Sequence, residues 1–285
     1  MKNQTLALVT PSYGPDFERC QLLSRSVERH VAAPSRHLIL VEHRDWKRFS
    51  ALRSEFTEVL LVEDFVPSWL HRLPFSNSVL LSTRTLPVRS WIWQQLVKLS
   101  IAAHVEEDVL VFLDSDVLFV RDFDPACLIE DGKTRFFRAP GAAQLESHKR
   151  WHQSAGRLLG LSPCDYFGAD YIGDIVTWRT EHVKAMHRHI ENESGTSWQK
   201  AIARTWHLSE YILYGVFVDQ ILKGGEHFET QEALCQISWN YKVDDLRSLE
   251  RVFDEIKPEH VAVMVDAKLG IPAAHYAPLI STIST

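Results

Sequence analysis

Four short, largely apolar runs in the first half of the chain restrict its fold more than any other feature. They are Leu6–Val9, His37–Val41, Val59–Val62 and Val109–Leu113. Continuous rather than alternating apolar residues are typical of parallel strands that helices cover on both faces. Segments with helical spacing separate these runs. The sequence therefore predicts an α/β fold with a mostly parallel sheet flanked by helices and joined by right-handed crossovers.

Helical and irregular segments are predicted between these strands. Apolar residues at the spacing of one helix face follow Pro15-Asp16, and similar patterns cover Trp46–Phe56 and Trp91–Val105. Residues 66–90 are rich in Pro, Ser and Thr, and we expect them to form a long loop.

The second half has a different composition, with aromatic residues, histidines and glycines interspersed. Two further strands are predicted within Tyr171–Trp178 and His260–Val265. Helices are predicted near residues 144–159, 180–193, 209–223 and 245–256. No long linker separates the halves, so we expect one continuous domain with two lobes, residues 1–125 and residues 126–285.

Composition and charge exclude several classes of protein. A net charge of −6 without a dense Lys/Arg run argues against a nucleic-acid binder. The apolar stretches are interrupted well short of the roughly 20 residues that a membrane helix needs, and the first strand begins too early for a signal peptide. The four cysteines are far apart, which disfavours a zinc pair or a disulfide framework. We therefore expect a cytoplasmic protein, with at most peripheral contact with the inner face of the membrane.

Two carboxylates follow the strongest predicted strand. Side chains alternate along a strand, so Asp114 and Asp116 would point to the same side. Paired carboxylates repel each other unless a cation separates them, and their oxygens suit Mn²⁺ or Mg²⁺. Open α/β sheets bind ligands at the carboxyl ends of their strands, where this pair would lie. A D-x-D triplet is also common in solvated turns, and that interpretation stays open.

Three segments of the chain resemble glycosyltransferases of the GT-A fold. They are the first strand with its turn, Leu6–Gly14, the helix Trp91–Leu99, and Phe112–Val117, which contains the D-x-D motif. The motif S-E-Y-x-x-Y-G at Ser209–Gly215 is similar to one in a poorly characterised bacterial group of such proteins. The resemblance covers roughly residues 5–125, and the later residues only in patches. Among its motifs only D-x-D is widely diagnostic.

The resemblance implies a metal-dependent transfer of a sugar from a nucleotide diphosphate sugar, with UDP favoured, to a hydroxyl acceptor in bacterial surface glycan synthesis. Residues 1–125 would bind the nucleotide sugar, and residues 126–285 would bind the acceptor. Asp116 would hold Mn²⁺ or Mg²⁺, Asp114 would contact the ribose or the metal shell, and Ser115 would lie beside the nucleotide. A cation there would stabilise the negative charge that develops on the departing diphosphate.

The resemblance gives roles to further residues as well. Three residues at the end of the first strand would lie beside the base, although they also form an ordinary turn pattern: Thr10, Ser12 and Tyr13. His275 follows the last predicted strand and would complete the metal shell. Three residues are candidates for the phosphate region, with a solvated helical surface as the alternative for the lysine: Arg89, Gln95 and Lys98.

An inverting transferase needs a base that deprotonates the acceptor hydroxyl. Glu210 and Asp170 are the candidates, with Asp174 a weaker one, and a helix-capping role is an equal alternative for Glu210. A retaining enzyme would need no such base. We expect one or two tryptophans of the second half at the acceptor cleft. Four other histidines are predicted to lie at the surface: His148, His152, His187 and His189.

Rival functions stay open at this point. The chain has no P-loop, dinucleotide-binding or nucleophile-elbow motif. A metal-dependent nucleotidyltransferase or phosphatase would also use paired carboxylates at a strand end, and a non-catalytic carbohydrate-binding homologue would keep the fold without turnover. Release of nucleotide diphosphate from nucleotide sugars in the presence of Mn²⁺ would separate these possibilities.

Overall fold

The computed structural model describes residues 4–32, 36–73, 78–141 and 145–283. The helices are α1 Phe17–His30, α2 Trp46–Phe49, α3 Ser90–Ser100, α4 Glu146–Leu158, α5 Thr180–Ser194, α6 Trp198–Ala203, α7 Glu210–Val216, α8 Leu246–Asp254 and α9 Ala273–Ile283. The strands are β1 Leu6–Pro11, β2 Arg36–Val41, β3 Thr57–Leu61, β4 Leu70–Arg72, β5 Val79–Ser82, β6 Val88–Arg89, β7 Val109–Leu113, β8 Val117–Phe119, β9 Ile129–Glu130, β10 Lys133–Phe137, β11 Ala139–Pro140, β12 Ala169–Asp170, β13 Ile175–Arg179, β14 His227–Thr230, β15 Cys235–Ile237 and β16 Ala262–Met264.

The central sheet has five strands in the order β13-β7-β1-β2-β3. Strands β7, β1, β2 and β3 are parallel, and β13 lies antiparallel beside β7. The four parallel strands coincide with the four apolar runs, so the predicted α/β class with a mostly parallel sheet is confirmed.

Both faces of the central sheet are covered, which explains why its strands are apolar without alternation. One core joins Leu38 and Phe112 to α3, α5 and α7. The other joins Leu8 and Val111 to α1, α8 and β16. Each core contains residues from before and after position 125, so the two predicted lobes share their apolar interior.

Two local predictions in the first half are wrong. The helix predicted over Trp46–Phe56 ends at Phe49, and a 3-10 turn over Ser50–Leu52 follows it. The side chain of Ser54 then accepts backbone hydrogen bonds that direct the chain into β3. Residues 66–90 contain the antiparallel sheet β4-β5-β6 instead of a continuous loop.

The small sheet β4-β5-β6 forms because its apolar side chains reach the core. Leu80 and Val88 are buried in the same cluster as α3. Pro67 and Pro87 lie outside the three strands, where a missing backbone donor costs nothing. Residues 74–77 of the predicted loop and residue 144 of a predicted helix lie outside the described residues.

The second half contains more elements than its sequence pattern predicts. Helices α6 and α9 and the strands β9 to β12, β14 and β15 were not expected. These strands span two to five residues, which is too short for a reliable period. Several of them pair with segments far away in the chain, as β10 does with β14.

No helix in the described ranges combines the length and apolar character needed to cross a membrane. The four cysteines all fall within those ranges, and all four are free thiols.

Candidate functional site

Three acidic or polar segments meet at one edge of the central sheet. Ser12 and Tyr13 follow β1, and Asp114 follows β7. Because β13 is antiparallel, its amino end lies at the same edge, and the pairing of Ile175 with Leu113 places Asp174 beside Asp114. This edge is where open α/β sheets bind their ligands.

The D-x-D residues form a turn rather than a strand. Strand β7 ends at Leu113, and the backbone N–H of Val117 donates to the carbonyl of Asp114 at 3.1 Å. The expectation that strand alternation aligns the two carboxylates is therefore wrong. Ser115 between them is buried and donates to Ser12 Oγ at 2.9 Å, which holds this turn against the end of β1.

Three carboxylates interact electrostatically at this edge. The side chain of Asp114 is 56% exposed. Burial, followed by the charge of Asp114, raises the pKa of Asp116 to about 7 against the opposing hydrogen bond from Ala267 N–H. Burial, followed by the charges of Asp114 and Asp116, raises the pKa of Asp174 to about 7. A bound cation would relieve this repulsion.

The donor set fits a divalent ion only in part. Among the described residues, no group of three or more His, Cys, Asp or Glu side chains stands ready to hold a metal. Mg²⁺ is commonly held by one or two carboxylates together with substrate phosphates and waters, and Asp114 and Asp116 would suit such a site. Asp116 Oδ2 also accepts the backbone N–H of Ala267 at 3.1 Å, which fixes one of its oxygens.

His275 does not complete this site. It follows the last strand, as predicted, but it lies in the first turn of α9 and its side chain is exposed. It belongs to no metal-ready group with the described acidic residues. The expectation that His275 is a third ligand is therefore unsupported by the fold.

Lys98 is a buried counter-ion and not a solvated charge. Its Nζ lies 3.2 Å from Asp114 Oδ1 and 3.0 Å from Glu210 Oε1, and it donates to Tyr211 Oη at 2.8 Å. Burial lowers the pKa of Lys98, but the charges of Asp114 and Glu210 outweigh it and raise that pKa well above its ordinary value. The lysine is therefore charged at neutral pH, and its charge is already neutralised.

Glu210 and Gln95 serve this buried network. Glu210 is almost fully buried against Lys98, so the expectation that it acts as the catalytic base is wrong, because an acceptor cannot reach it. Gln95 is also buried, and its side-chain oxygen accepts the backbone N–H of Glu210 at 3.0 Å. Gln95 Nε2 donates to the carbonyl of Trp91 at 2.9 Å, so both side chains take part in buried contacts within the protein.

The S-E-Y-x-x-Y-G motif is explained by packing. Ser209 caps α7 by accepting the backbone N–H of Ile212. Tyr214 accepts the backbone N–H of Arg179 at 2.9 Å. A Cβ at Gly215 would overlap the ring of Tyr171, so only glycine fits there.

The end of β1 contributes less than predicted. Thr10 is completely buried and hydrogen-bonds His37 Nε2 at 2.9 Å, so its expected contact with a base is wrong. Ser12 is partly buried and held by Ser115. Tyr13 is exposed, and its ring is accessible to a ligand.

Two predicted residues lie at a second location, beside α3 and α4. Arg89 was expected near the phosphates, but it donates to the carbonyl of Trp206 at 3.1 Å and lies over its ring. Asp170 is buried, and its Oδ2 lies 2.8 Å from Nδ1 of His148, in a geometry that does not meet the angles of a hydrogen bond.

The four histidines predicted to lie at the surface are less exposed than expected. His148 is partly buried against Asp170, and His152 is completely buried. His187 stacks on Trp198 with ring centroids 3.8 Å apart. His189 bonds the carbonyl of Leu159 at 3.0 Å.

A separate cavity of about 700 Å³ opens past the ends of β2 and β3. Its wall includes Glu42, which is held by Arg72 at 2.6 Å, Arg44 at 3.1 Å and the indole N–H of Trp93 at 3.1 Å. None of the three clustered carboxylates lines this cavity.

One family comparison covers most of the chain. Residues 5–253 match a family of unknown function, DUF6492. The chain belongs to this family. The matched residues include Lys98, the three clustered carboxylates and Glu210, whereas His275 lies beyond them. No curated protein matches the sequence.

Proposed function

We propose that this DUF6492 protein is a metal-dependent glycosyltransferase that moves a sugar from a nucleotide diphosphate sugar, with UDP favoured, to a hydroxyl acceptor. The proposal extends to the GT-A arrangement of the fold and to synthesis of a bacterial surface glycan. It is carried by one observation, the cluster of Asp114, Asp116 and Asp174 at the ligand-binding edge of a mostly parallel sheet.

The cluster suits a cation that neutralises phosphate charge. Burial, and after it the charges of the neighbouring carboxylates, raises the pKa values of Asp116 and Asp174. A bound Mn²⁺ or Mg²⁺ would supply positive charge at the diphosphate as it leaves. Lys98 holds Asp114 through one oxygen, which leaves the other oxygen for the ion.

The remaining parts of the edge would position the donor. The exposed ring of Tyr13 offers a stacking face for a base. The turn at Ser115 is fixed to the end of β1 through Ser12, so the acidic residues keep their place relative to Tyr13. Rigid support of this kind is what a site needs in order to orient a leaving group.

The test is nucleotide release. The full-length protein is incubated with UDP, GDP and CDP sugars and Mn²⁺, and the freed nucleotide diphosphate is measured with and without acceptor glycans. We expect Mn²⁺-dependent release that Asp116→Asn abolishes. The matched control is Asp254→Asn, since Asp254 is exposed and forms no ion pair with a described residue.

Three results would contradict the proposal. Undiminished release by Asp116→Asn would remove the role of the acidic cluster. Release of inorganic phosphate from simple esters would identify a phosphatase. Binding of UDP with Mn²⁺, without turnover of any donor, would identify a non-catalytic homologue.

A further inference from the structure

An exposed aromatic surface lies at the second location, where Arg89 and Asp170 were found. Trp206 is 61% exposed and Trp91 is 40% exposed. The rings of Trp91 and Trp151 are within 13° of parallel, with centroids 5.9 Å apart. The ring of His148 continues the row, 4.9 Å from Trp151. These four side chains form what we call the aromatic platform.

The platform is held in a fixed geometry. The indole N–H of Trp91 donates to the carbonyl of Leu208, which orients that ring. The guanidinium of Arg89 lies 5.2 Å from the centre of the Trp206 ring and also bonds the carbonyl of that residue. An exposed tryptophan held in this way loses little conformational freedom when a ligand stacks on it.

Polar groups stand at the rim of the platform. Nδ1 of His148 lies 2.8 Å from Oδ2 of the buried Asp170, and Oδ1 of Asp170 accepts the backbone N–H of Ile172 at 3.0 Å. Nε2 of His148 has no hydrogen-bond partner among the described residues. A nitrogen of this kind can hydrogen-bond a ligand hydroxyl.

Helix α3 connects the platform to the acidic cluster. Trp91 and Lys98 are seven residues apart, so they lie on the same face of the helix, about 10 Å apart along its axis. Both meet the α7 region, since Trp91 bonds the carbonyl of Leu208 and Lys98 bonds Glu210 and Asp114. The platform and Asp114 are therefore linked through α3 and the residues at the start of α7.

We propose that the aromatic platform is the carbohydrate-binding subsite for the acceptor, with Trp206 and Trp91 stacking on sugar rings and His148 bonding a sugar hydroxyl. This inference rests on the proposed function, because it gives the acceptor a place beside the donor site. A sugar ring has an apolar C–H face and a rim of hydroxyls. Flat indole rings bordered by a few fixed polar groups match both.

The overall charge disfavours nucleic acid as another aromatic ligand, since the chain carries a net charge of −6. A protein partner would find only a small apolar area here, interrupted by the guanidinium of Arg89 and the imidazole of His148. The platform is therefore assigned to a carbohydrate.

The test measures glycan binding and nucleotide binding separately on the full-length chain. Labelled protein is applied to an array of immobilised oligosaccharides, and dissociation constants are determined for those that bind. Variants are Trp206→Ala, Trp206→Phe and the control Phe56→Ala. Phe56 is 40% exposed, like Trp91, but lies just before β3, at the amino ends of the parallel strands. A thermal-shift measurement with UDP and Mn²⁺ monitors folding and the donor site of every variant.

The expected result is at least about a tenfold loss of glycan affinity in Trp206→Ala. Trp206→Phe keeps most of the affinity, and Phe56→Ala keeps all of it. Equal binding by Trp206→Ala and the wild type, an equal loss in Phe56→Ala, or no glycan binding by the wild type would overturn the proposal. Absence of a UDP–Mn²⁺ shift in the wild type would instead overturn the proposed function, whatever the array shows.

Discussion

Replacement of Asp116 by Asn should stabilise the metal-free protein and remove its response to Mn²⁺. Asparagine has the shape of aspartate, and its side-chain oxygen can still accept the backbone N–H of Ala267. The substitution removes a charge that burial and Asp114 disfavour. Functional residues that are poorly accommodated in the folded state commonly show this exchange of stability for activity.

The size of the effect follows from the pKa of Asp116. A rise from 3.8 to about 7 means that the folded state resists losing this proton, so stability falls as pH rises between these values. The cost is fully present above pH 7 and amounts to about 4 kcal/mol at pH 8. At pH 5 the cost is only about 2 kcal/mol, because the folded carboxyl then keeps its proton and only the unfolded carboxyl is ionised.

The assay is thermal unfolding in EDTA at pH 8 and at pH 5, repeated with UDP and Mn²⁺. In EDTA, Asp116→Asn should melt about 8 °C above the wild type at pH 8, with about half that gain at pH 5. With ligand at 100 times its dissociation constant, the wild type should gain about 3 kcal/mol and the variant nothing.

The control for this experiment is Asp254→Asn, which should change neither melting temperature nor ligand response. A metal-free Asp116→Asn protein that is less stable than the wild type at pH 8 would refute the reasoning. So would an unchanged Mn²⁺ response, because the ion would then be bound elsewhere.

Three further predictions concern buried groups. Burial lowers the pKa of His187 to about 3, so the folded state favours the neutral imidazole. The stability that depends on the neutral form is fully present above pH 6.5 and is lost as the pH falls. Between pH 7 and pH 5 the unfolding free energy of the wild type should therefore fall by about 2 kcal/mol more than that of His187→Phe, as urea unfolding at the two pH values would show. A difference between the two proteins that is the same at both pH values would contradict this. Lys98→Met should cost about 3–5 kcal/mol because it leaves Glu210 buried and unpaired, and the double variant with Glu210→Gln should recover most of that, as urea unfolding would show. Failure of the double variant to recover would contradict the ion-pair account. Gly215→Ala should lower the unfolding free energy by about 1–3 kcal/mol, whereas Gly173→Ala, whose Cβ would find only ordinary contacts, should change it little. Equal effects would show that the close approach at Gly215 is unimportant.

The strands of the central sheet could be predicted because their signal is local. Each of the runs at β1, β2, β3 and β7 is apolar over consecutive residues, and β1, β2 and β7 are buried on both faces. The sheet β4-β5-β6 could not be predicted in this way, because its stability comes from burying Leu80 and Val88 against α3, which lies later in the chain.

Only the location of the candidate site, at the end of a strand, could be predicted from the sequence. Asp114 and Asp116 follow a recognisable strand, but the importance of Asp174 depends on the antiparallel pairing of β13 with β7. The sequence offered a weak signal for it, an aspartate just before an apolar run. Residue type indicated a catalytic base at Glu210 and phosphate contacts at Gln95 and Lys98, and the burial of these side chains excludes both roles.

The His148–Asp170 contact shows why distant pairs escape sequence reasoning. The two residues are 22 positions apart, on α4 and β12, and neither position carries a local pattern that points to the other. Their meeting depends on how α4 packs against α7 and how β12 pairs with β11.

The sequence by itself determined the α/β class, the four parallel strands and the strand end that carries the acidic pair, because short-range hydrophobic pattern and chain order suffice for these. Tertiary structure alone decided which charged side chains are accessible. Lys98 and Glu210 neutralise each other in the interior, whereas Trp206 and Asp114 face solvent. The physical reason is that the cost of burying a charge depends on its partner, and that partner lies more than a hundred residues away in the chain for Lys98 and Glu210.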